Sequence, residues 1–128
     1  MTFYHSKIVP YAFDEAIGKV TEALKTEGFG VLTRVDIAAK LKEKIGVDFR
    51  KYVILGACNP PLAHKALQAE DKIGVMLPCN VIVQQKSEDE VEVAAVDPEA
   101  TMKTIGDDAL LPIATEVSAK LKRVVERV

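Results

Sequence analysis

The sequence predicts an α/β chain of the α+β type. The expected architecture is a two-layer sandwich with helices on one face of a mixed or mainly antiparallel sheet of about five strands. Three observations predict it. Apolar residues recur at helical spacing at Phe13, Ile17, Val20 and Leu24, and again at Leu110, Ile113, Val117, Leu121, Val124 and Val128, so each set occupies one helical face. Apolar or alternating runs of strand length lie between these stretches, at residues 52–57, 75–84 and 91–96. The order is strand, helix, strand, helix, strand, helix, strand, strand, then helices. With the short second helix taken as an insertion, the core is β-α-β-β-α-β-β followed by C-terminal helices.

Each element has its own warrant. Residues 2–9 mix aromatic and β-branched side chains and read as a first strand, with Pro10 as punctuation. The Phe13–Leu24 face gives the first helix, and Gly28 stops it. Residues 29–35 read as a second strand. Asp36 caps a short helix through its carboxylate, because the first backbone N–H groups of a helix lack partners. Ile37, Leu41 and Ile45 line that helix and Gly46 ends it. The third strand runs into Cys58-Asn59-Pro60-Pro61, where Asn59 is a good cap and Pro60 suits the first helical position. Leu62, Ala63, Ala66 and Leu67 then mark a third helix. Pro78 interrupts the run 75–84, so that strand lies at an edge, is bulged, or begins after the proline. Lys86-Ser-Glu-Asp-Glu90 is a polar turn joining it to residues 91–96. Asp97-Pro98 opens a short helix to about Ile105, and Asp107 or Asp108 caps the long last one. Lys120, Lys122, Arg123 and Arg127 fall in its final turns, where the helix dipole favours cations. Strands joined by a crossover helix are expected to be parallel, and the hairpin antiparallel.

Composition narrows the function classes. A chain of 128 residues is expected to be a single domain, residues 1–128, that buries roughly two-thirds of its unfolded surface without staples. Acidic and basic residues nearly balance, with a net charge of −2. No basic stripe or nucleic-acid motif is present, so nucleic acid is not expected as a partner. No apolar run approaches the about 20 residues needed to span a bilayer. The N-terminus lacks a signal-peptide hydrophobic region, so no membrane partner and a cytoplasmic location are expected. Thiols there are reduced, and two cysteines do not by default make a disulfide.

Those cysteines carry the sharpest chemistry, and each is followed by asparagine: Cys58-Asn59 and Cys79-Asn80. Cys58 sits at a strand end before a helix cap, where unpaired N–H groups and the helix dipole stabilise negative charge and favour a thiolate or a bound anion. The plainer alternative is a small apolar residue filling space under the helix. Cys79, after Pro78 in an apolar run, reads on its own as core. His64, about one turn into the third helix, is a candidate base for Cys58. Cys58, Cys79 and His64 are candidate ligands for a soft metal, although no fixed spacing such as CxxC supports this. His5 is a weaker candidate. Asn59 and Asn80 are a cap and a turn former, or amides that orient a polar ligand between them. Gly28 and Gly30 lack the third spaced glycine of a phosphate loop. Asp107-Asp108 and Glu88-Asp89-Glu90 read as a cap and a solvated turn.

Several runs together resemble a known family. They are Glu27-Gly-Phe-Gly-Val-Leu-Thr33 with Val35-Asp36-Ile37, Leu41-Lys-Glu-Lys-Ile-Gly-Val-Asp-Phe49, Tyr52-Val-Ile-Leu-Gly-Ala-Cys58-Asn59-Pro60, Ala63-His64-Lys65-Ala66-Leu67, Leu77-Pro78-Cys79-Asn80-Val81 and Ala95-Val96-Asp97-Pro98. The chain resembles the bacterial and archaeal domain-of-unknown-function family numbered three hundred and two over nearly its whole length. The resemblance implies a small two-layer α/β domain, cytoplasmic and dimeric, and carries no activity or cofactor with it. It marks Cys58, Asn59, Pro60, His64, Pro78, Cys79 and Asn80 as signature positions. Three functional readings follow. The first is a ligand- or metal-binding module, homodimeric, with Cys58, Asn59, Pro60, His64, Cys79 and Asn80 around a pocket. The second is a thiol redox enzyme or sensor using Cys58, Cys79 and His64. The third is a structural or interaction domain with inert cysteines.

Overall fold

In a computed structural model describing residues 2–128, the chain runs β1 (Tyr4–Val9), α1 (Phe13–Thr26), β2 (Gly30–Asp36), α2 (Ile37–Ile45), β3 (Tyr52–Cys58), α3 (Pro60–Ala69), a 3-10 turn (Asp71–Met76), β4 (Cys79–Ser87), β5 (Glu90–Val96), α4 (Pro98–Ile105) and α5 (Leu111–Arg127). The strands form one sheet in the order β1-β5-β4-β3-β2, and every neighbouring pair is antiparallel. α1 and α5 pack on one face, giving the two layers.

The core follows from two periodicities meeting. Alternate strand residues Val9, Val53, Leu55, Val81, Val83, Val91 and Val93 are buried on the helix-covered face, as the period of two requires. Against them lie Phe13, Ile17, Val20 and Leu24 of α1 and Val117, Leu121, Val124 and Val125 of α5. Across the open face, register aligns Val35, Ile54, Ile82, Ala94 and Ser6 in one row over five strands. The next row, Tyr52, Gln84, Glu92 and Ile8, has a polar centre: Arg50 Nε donates to Gln84 Oε1 at 2.9 Å, and Gln84 Nε2 donates to Glu92 Oε1 at 2.8 Å.

Several expectations are corrected. β3 and β4 are neighbours but antiparallel, although α3 joins them. α3 and the 3-10 turn fold back at the end of the sheet instead of crossing its face, so the parallel rule for crossovers does not apply. Of the three alternatives for the run interrupted by Pro78, the strand that begins after the proline is the one found: β4 starts at Cys79 and is central, residues 71–76 forming the 3-10 turn instead of strand. Asp107 caps its own turn, accepting from Ala109 N at 2.9 Å, and α5 begins at Leu111 without a side-chain cap. α2 buries no residue; its Ile45 is 66% exposed. The cations of α5 do more than complement a dipole: Arg123 and Arg127 bind the Glu27 carboxylate, with Lys120 Nζ at 4.0 Å. The Arg123 guanidinium holds Glu27 below its ordinary carboxylate range, with Arg127 adding to it against the opposing effect of burial.

Candidate functional site

The end of the sheet where β3 stops and β4 starts gathers most of the expected residues. Register sets Ala57 opposite Cys79 and Gly56 opposite Asn80, which brings the two cysteines to adjacent strand ends. Gly56 makes the arrangement possible. A Cβ there would lie 2.1 Å from Thr33 Oγ1 and 2.7 Å from Pro78 Cγ, so only glycine lets Thr33 and Pro78 close over the strand. The Leu77-Pro78 peptide is cis. Next to them a β-bulge in β2, between Val31 and Thr33, sets Leu32 outward at 67% exposure.

Asn59 ties this end to the helical layer. Its Oδ1 accepts from Leu62 N at 3.3 Å, capping α3, and its Nδ2 donates to the Glu27 carbonyl at 3.2 Å. Gly28, at φ +82°, passes so close that a Cβ would sit 3.0 Å from Asn59 Nδ2. Asn59 is therefore a structural link with both ends of its amide used.

Between the main core and a second cluster made by Ala66, Ile73, Met102, Leu110 and Ala114 lies a cavity of about 610 Å³. Its walls come from the ends of β3, β4 and β5, from α3 and the 3-10 turn, and from α4 and α5. Aliphatic residues dominate. Cys58, Cys79, Met76 and Met102 all line it, so every sulfur of the described residues does. Its polar side chains are Asn59, Asn80 and Thr101; among the described residues no Asp, Glu, Lys, Arg or His lines it.

Of the residues expected around a pocket, Cys58, Asn59, Cys79 and Asn80 line this cavity, as does Pro78, whereas Pro60 and His64 do not. The expectation that His64 faces Cys58 is corrected. Leu62 and Ala66, one turn apart, are the buried face of α3, and His64 midway between them is turned out to solvent. His64 is thus not placed as a base or a metal ligand beside Cys58. Among the described residues no three His, Cys, Asp or Glu side chains group as a metal site.

The expected anion-stabilising turn is also corrected. Pro60 and Pro61 have no N–H, the Leu62 N–H goes to the Asn59 side chain, and the Ala63 N–H goes to the Asn59 carbonyl. α3 therefore offers no free donor to a thiolate or an anion at its first turn. Both cysteines are free. Burial, with a smaller contribution from Cys58, pushes the Cys79 thiol up to about 11, so it stays protonated at neutral pH and is a poor nucleophile.

Two groupings escaped sequence reasoning. One is the cavity wall supplied by Met102, Leu110 and Ala114, whose signal was only helical spacing. The other joins β1, α4 and α5. Ser118 Oγ donates to Asp97 Oδ1 at 2.7 Å, and His5 Nε2 lies 3.2 Å from Ser118 Oγ. Asp97 Oδ1 also accepts from Glu99 N at 3.1 Å, capping α4. The residue types match a hydrolase triad but the bonding does not, since the serine proton points to the carboxylate and not to the imidazole.

No helix of the described residues is long and apolar enough to cross a membrane. A search of curated proteins returns no match. Among solved structures, the chain is similar to an uncharacterized conserved protein DUF302 from Bacillus stearothermophilus, with 33% identity, a TM-score of 0.91, and coverage of 99% of this chain and 98% of that one. The family profile described as Domain of unknown function DUF302 matches residues 5–128. On both grounds the chain belongs to the Domain of unknown function DUF302 family.

Proposed function

We propose that this protein is a small-molecule-binding module whose site is the cavity at the Cys58–Cys79 end of the sheet. One observation carries the reading: a cavity of about 610 Å³, within the roughly 300–1,000 Å³ of small-molecule sites, is lined by Cys58, Asn59, Cys79 and Asn80 together. The free thiols suit the reducing cytoplasm, the location this function assumes. The test is titration with the neutral fluorophore N-phenyl-1-naphthylamine, using wild type and Ala66→Phe, which fills the cavity from α3. Saturable binding by wild type and at least a tenfold loss in an Ala66→Phe protein with an intact circular dichroism spectrum are expected. Unchanged binding by folded Ala66→Phe would contradict the site.

A thiol redox role is the second reading, favoured by the adjacent strand ends of Cys58 and Cys79. The high pKa of Cys79 weighs against it. Alkylation of the native protein at pH 7 separates the two: binding without thiol modification supports the module, and rapid modification of both cysteines supports redox chemistry.

The module is proposed to work as a homodimer, paired through the open sheet face. An antiparallel sheet with one wet face shows polar outward residues, yet here Tyr4, Ile8, Val35, Ile54 and Ile82 point outward. Five strands at about 4.8 Å spacing and six residues at about 3.3 Å each give about 500 Å² of face per copy. Two such faces reach the about 1,000 Å² expected of a specific interface. Sedimentation is expected to give a dimer that Ile54→Lys converts to a folded monomer; a wild-type monomer at micromolar concentration rules the dimer out.

A further inference from the structure

We infer that the ligand of the sheet-end cavity is an uncharged, mainly apolar molecule carrying one hydrogen-bonding group, which sits at the Asn80 rim; this rests on the binding-module reading above. Three independent features of the walls lead there.

The first is the absence of countercharge. Among the described residues no ionisable side chain other than the two thiols lines the cavity. An ionised carboxylate, phosphate or ammonium group moved into such a site would lose its hydration and find no partner, which is a heavy cost.

The second is the first turn of α3, which borders the cavity through Cys58, Asn59 and Leu62. A helix start beside a pocket is usually an anion site, because free N–H groups point into it. Here two consecutive prolines remove two of those donors, and Asn59 occupies the next two through its side chain and its carbonyl. The sequence Asn59-Pro60-Pro61 thus leaves the first turn of α3 with no backbone donor for an anion.

The third is which polar groups remain available. Asn59 is committed at both ends of its amide. The Thr101 hydroxyl donates to the Pro98 carbonyl at 3.1 Å. Asn80 is exposed at the rim, and its side chain makes no hydrogen bond among the described residues. It therefore offers both a donor and an acceptor to a ligand. Buried Met102, with the more exposed Met76, supplies polarisable, adaptable surface suited to an apolar body.

The test uses four molecules of one size and shape at pH 7: 4-phenylbutanamide, butylbenzene, 4-phenylbutanoate and 4-phenylbutylamine, titrated calorimetrically into wild type and Asn80→Ala. The amide and butylbenzene are expected to bind at least tenfold more tightly than the anion and the cation. Asn80→Ala is expected to weaken the amide severalfold and to leave butylbenzene unchanged. Binding of either ion within twofold of the amide overturns the ligand class while the module reading stands. Equal loss of amide and butylbenzene in Asn80→Ala overturns the placement of the polar group. If none of the four binds and N-phenyl-1-naphthylamine does not bind either, the module reading falls and this inference with it.

Discussion

The helix-covered face of the sheet and its Cys58–Cys79 end are built from the same residue types in opposite ways. On the covered face, Val20, Leu24, Val81, Val83, Val93, Leu121 and Val124 are closed off to 0% exposure, and helix and strand periodicities interlock. At the sheet end, structure depends on single residues with particular backbones or caps: Gly28, Gly56, Asn59 and Pro78. That end leaves about 610 Å³ open. Close packing resists any change of volume. On the proposed reading, stability rests on the covered face and binding on the sheet end, and the two are expected to answer mutation differently.

The largest expected effect is on the covered face. Leu121→Ala, at a site with 0% exposure, is expected to cost about 2–5 kcal/mol and to leave the affinity of the remaining folded protein for a neutral probe unchanged. Chemical denaturation and probe titration measure the two. A large affinity loss with a small stability loss would erase the contrast.

Small-to-large changes sharpen it from the other side. Ala16→Leu on α1, at 0% exposure, forces methylenes into a filled core and is expected to cost about 1–3 kcal/mol. Ala66→Leu on α3 meets the cavity and is expected to change stability by under about 1 kcal/mol while weakening probe binding. Equal costs at the two sites would mean that the space at the sheet end is not accessible to a side chain.

A further effect is electrostatic and appears only at alkaline pH. The Cys79 pKa rises from 9.0 to about 11 on folding. Between these values the unfolded chain has lost its thiol proton and the folded chain has kept it, so stability falls as pH rises from about 9 to about 11. With part of the side chain solvated, the loss is expected to be at most about 2 kcal/mol. Cys79→Ser removes that slope. A wild-type slope that persists in Cys79→Ser would place its origin elsewhere.

Much of the fold was legible in the sequence because its core rests on repetition. The Phe13–Leu24 and Leu110–Val128 stripes and the three apolar strands named their elements, and Asp36, Asn59, Pro60 and Gly46 marked boundaries through local chemistry. The direction of β4 was not legible. It depends on α3 and the 3-10 turn packing at the sheet end, a tertiary outcome with no periodic signature. The site was half legible. Cys58, Asn59, Cys79 and Asn80 stood out as a repeated Cys-Asn pair, and the antiparallel register then brought them together. His64 was misplaced because its distance from Cys58 along the chain says nothing of which side of α3 it faces; the Leu62–Ala66 pair decides that. The blocked first turn of α3 was written in Asn59-Pro60-Pro61 all along, since prolines that suit a helix start also remove its donors.

The most direct test of the cavity as a binding site is chemical-shift mapping of the backbone amides on addition of 4-phenylbutanamide. The predicted result is saturable shifts at residues 57–59, 62–63, 66, 76–77, 79–80, 101–102, 110 and 113–114, with α2 and the outward residues of β1 unmoved. Shifts confined to α2 or the open sheet face, or none at saturating ligand, would contradict it.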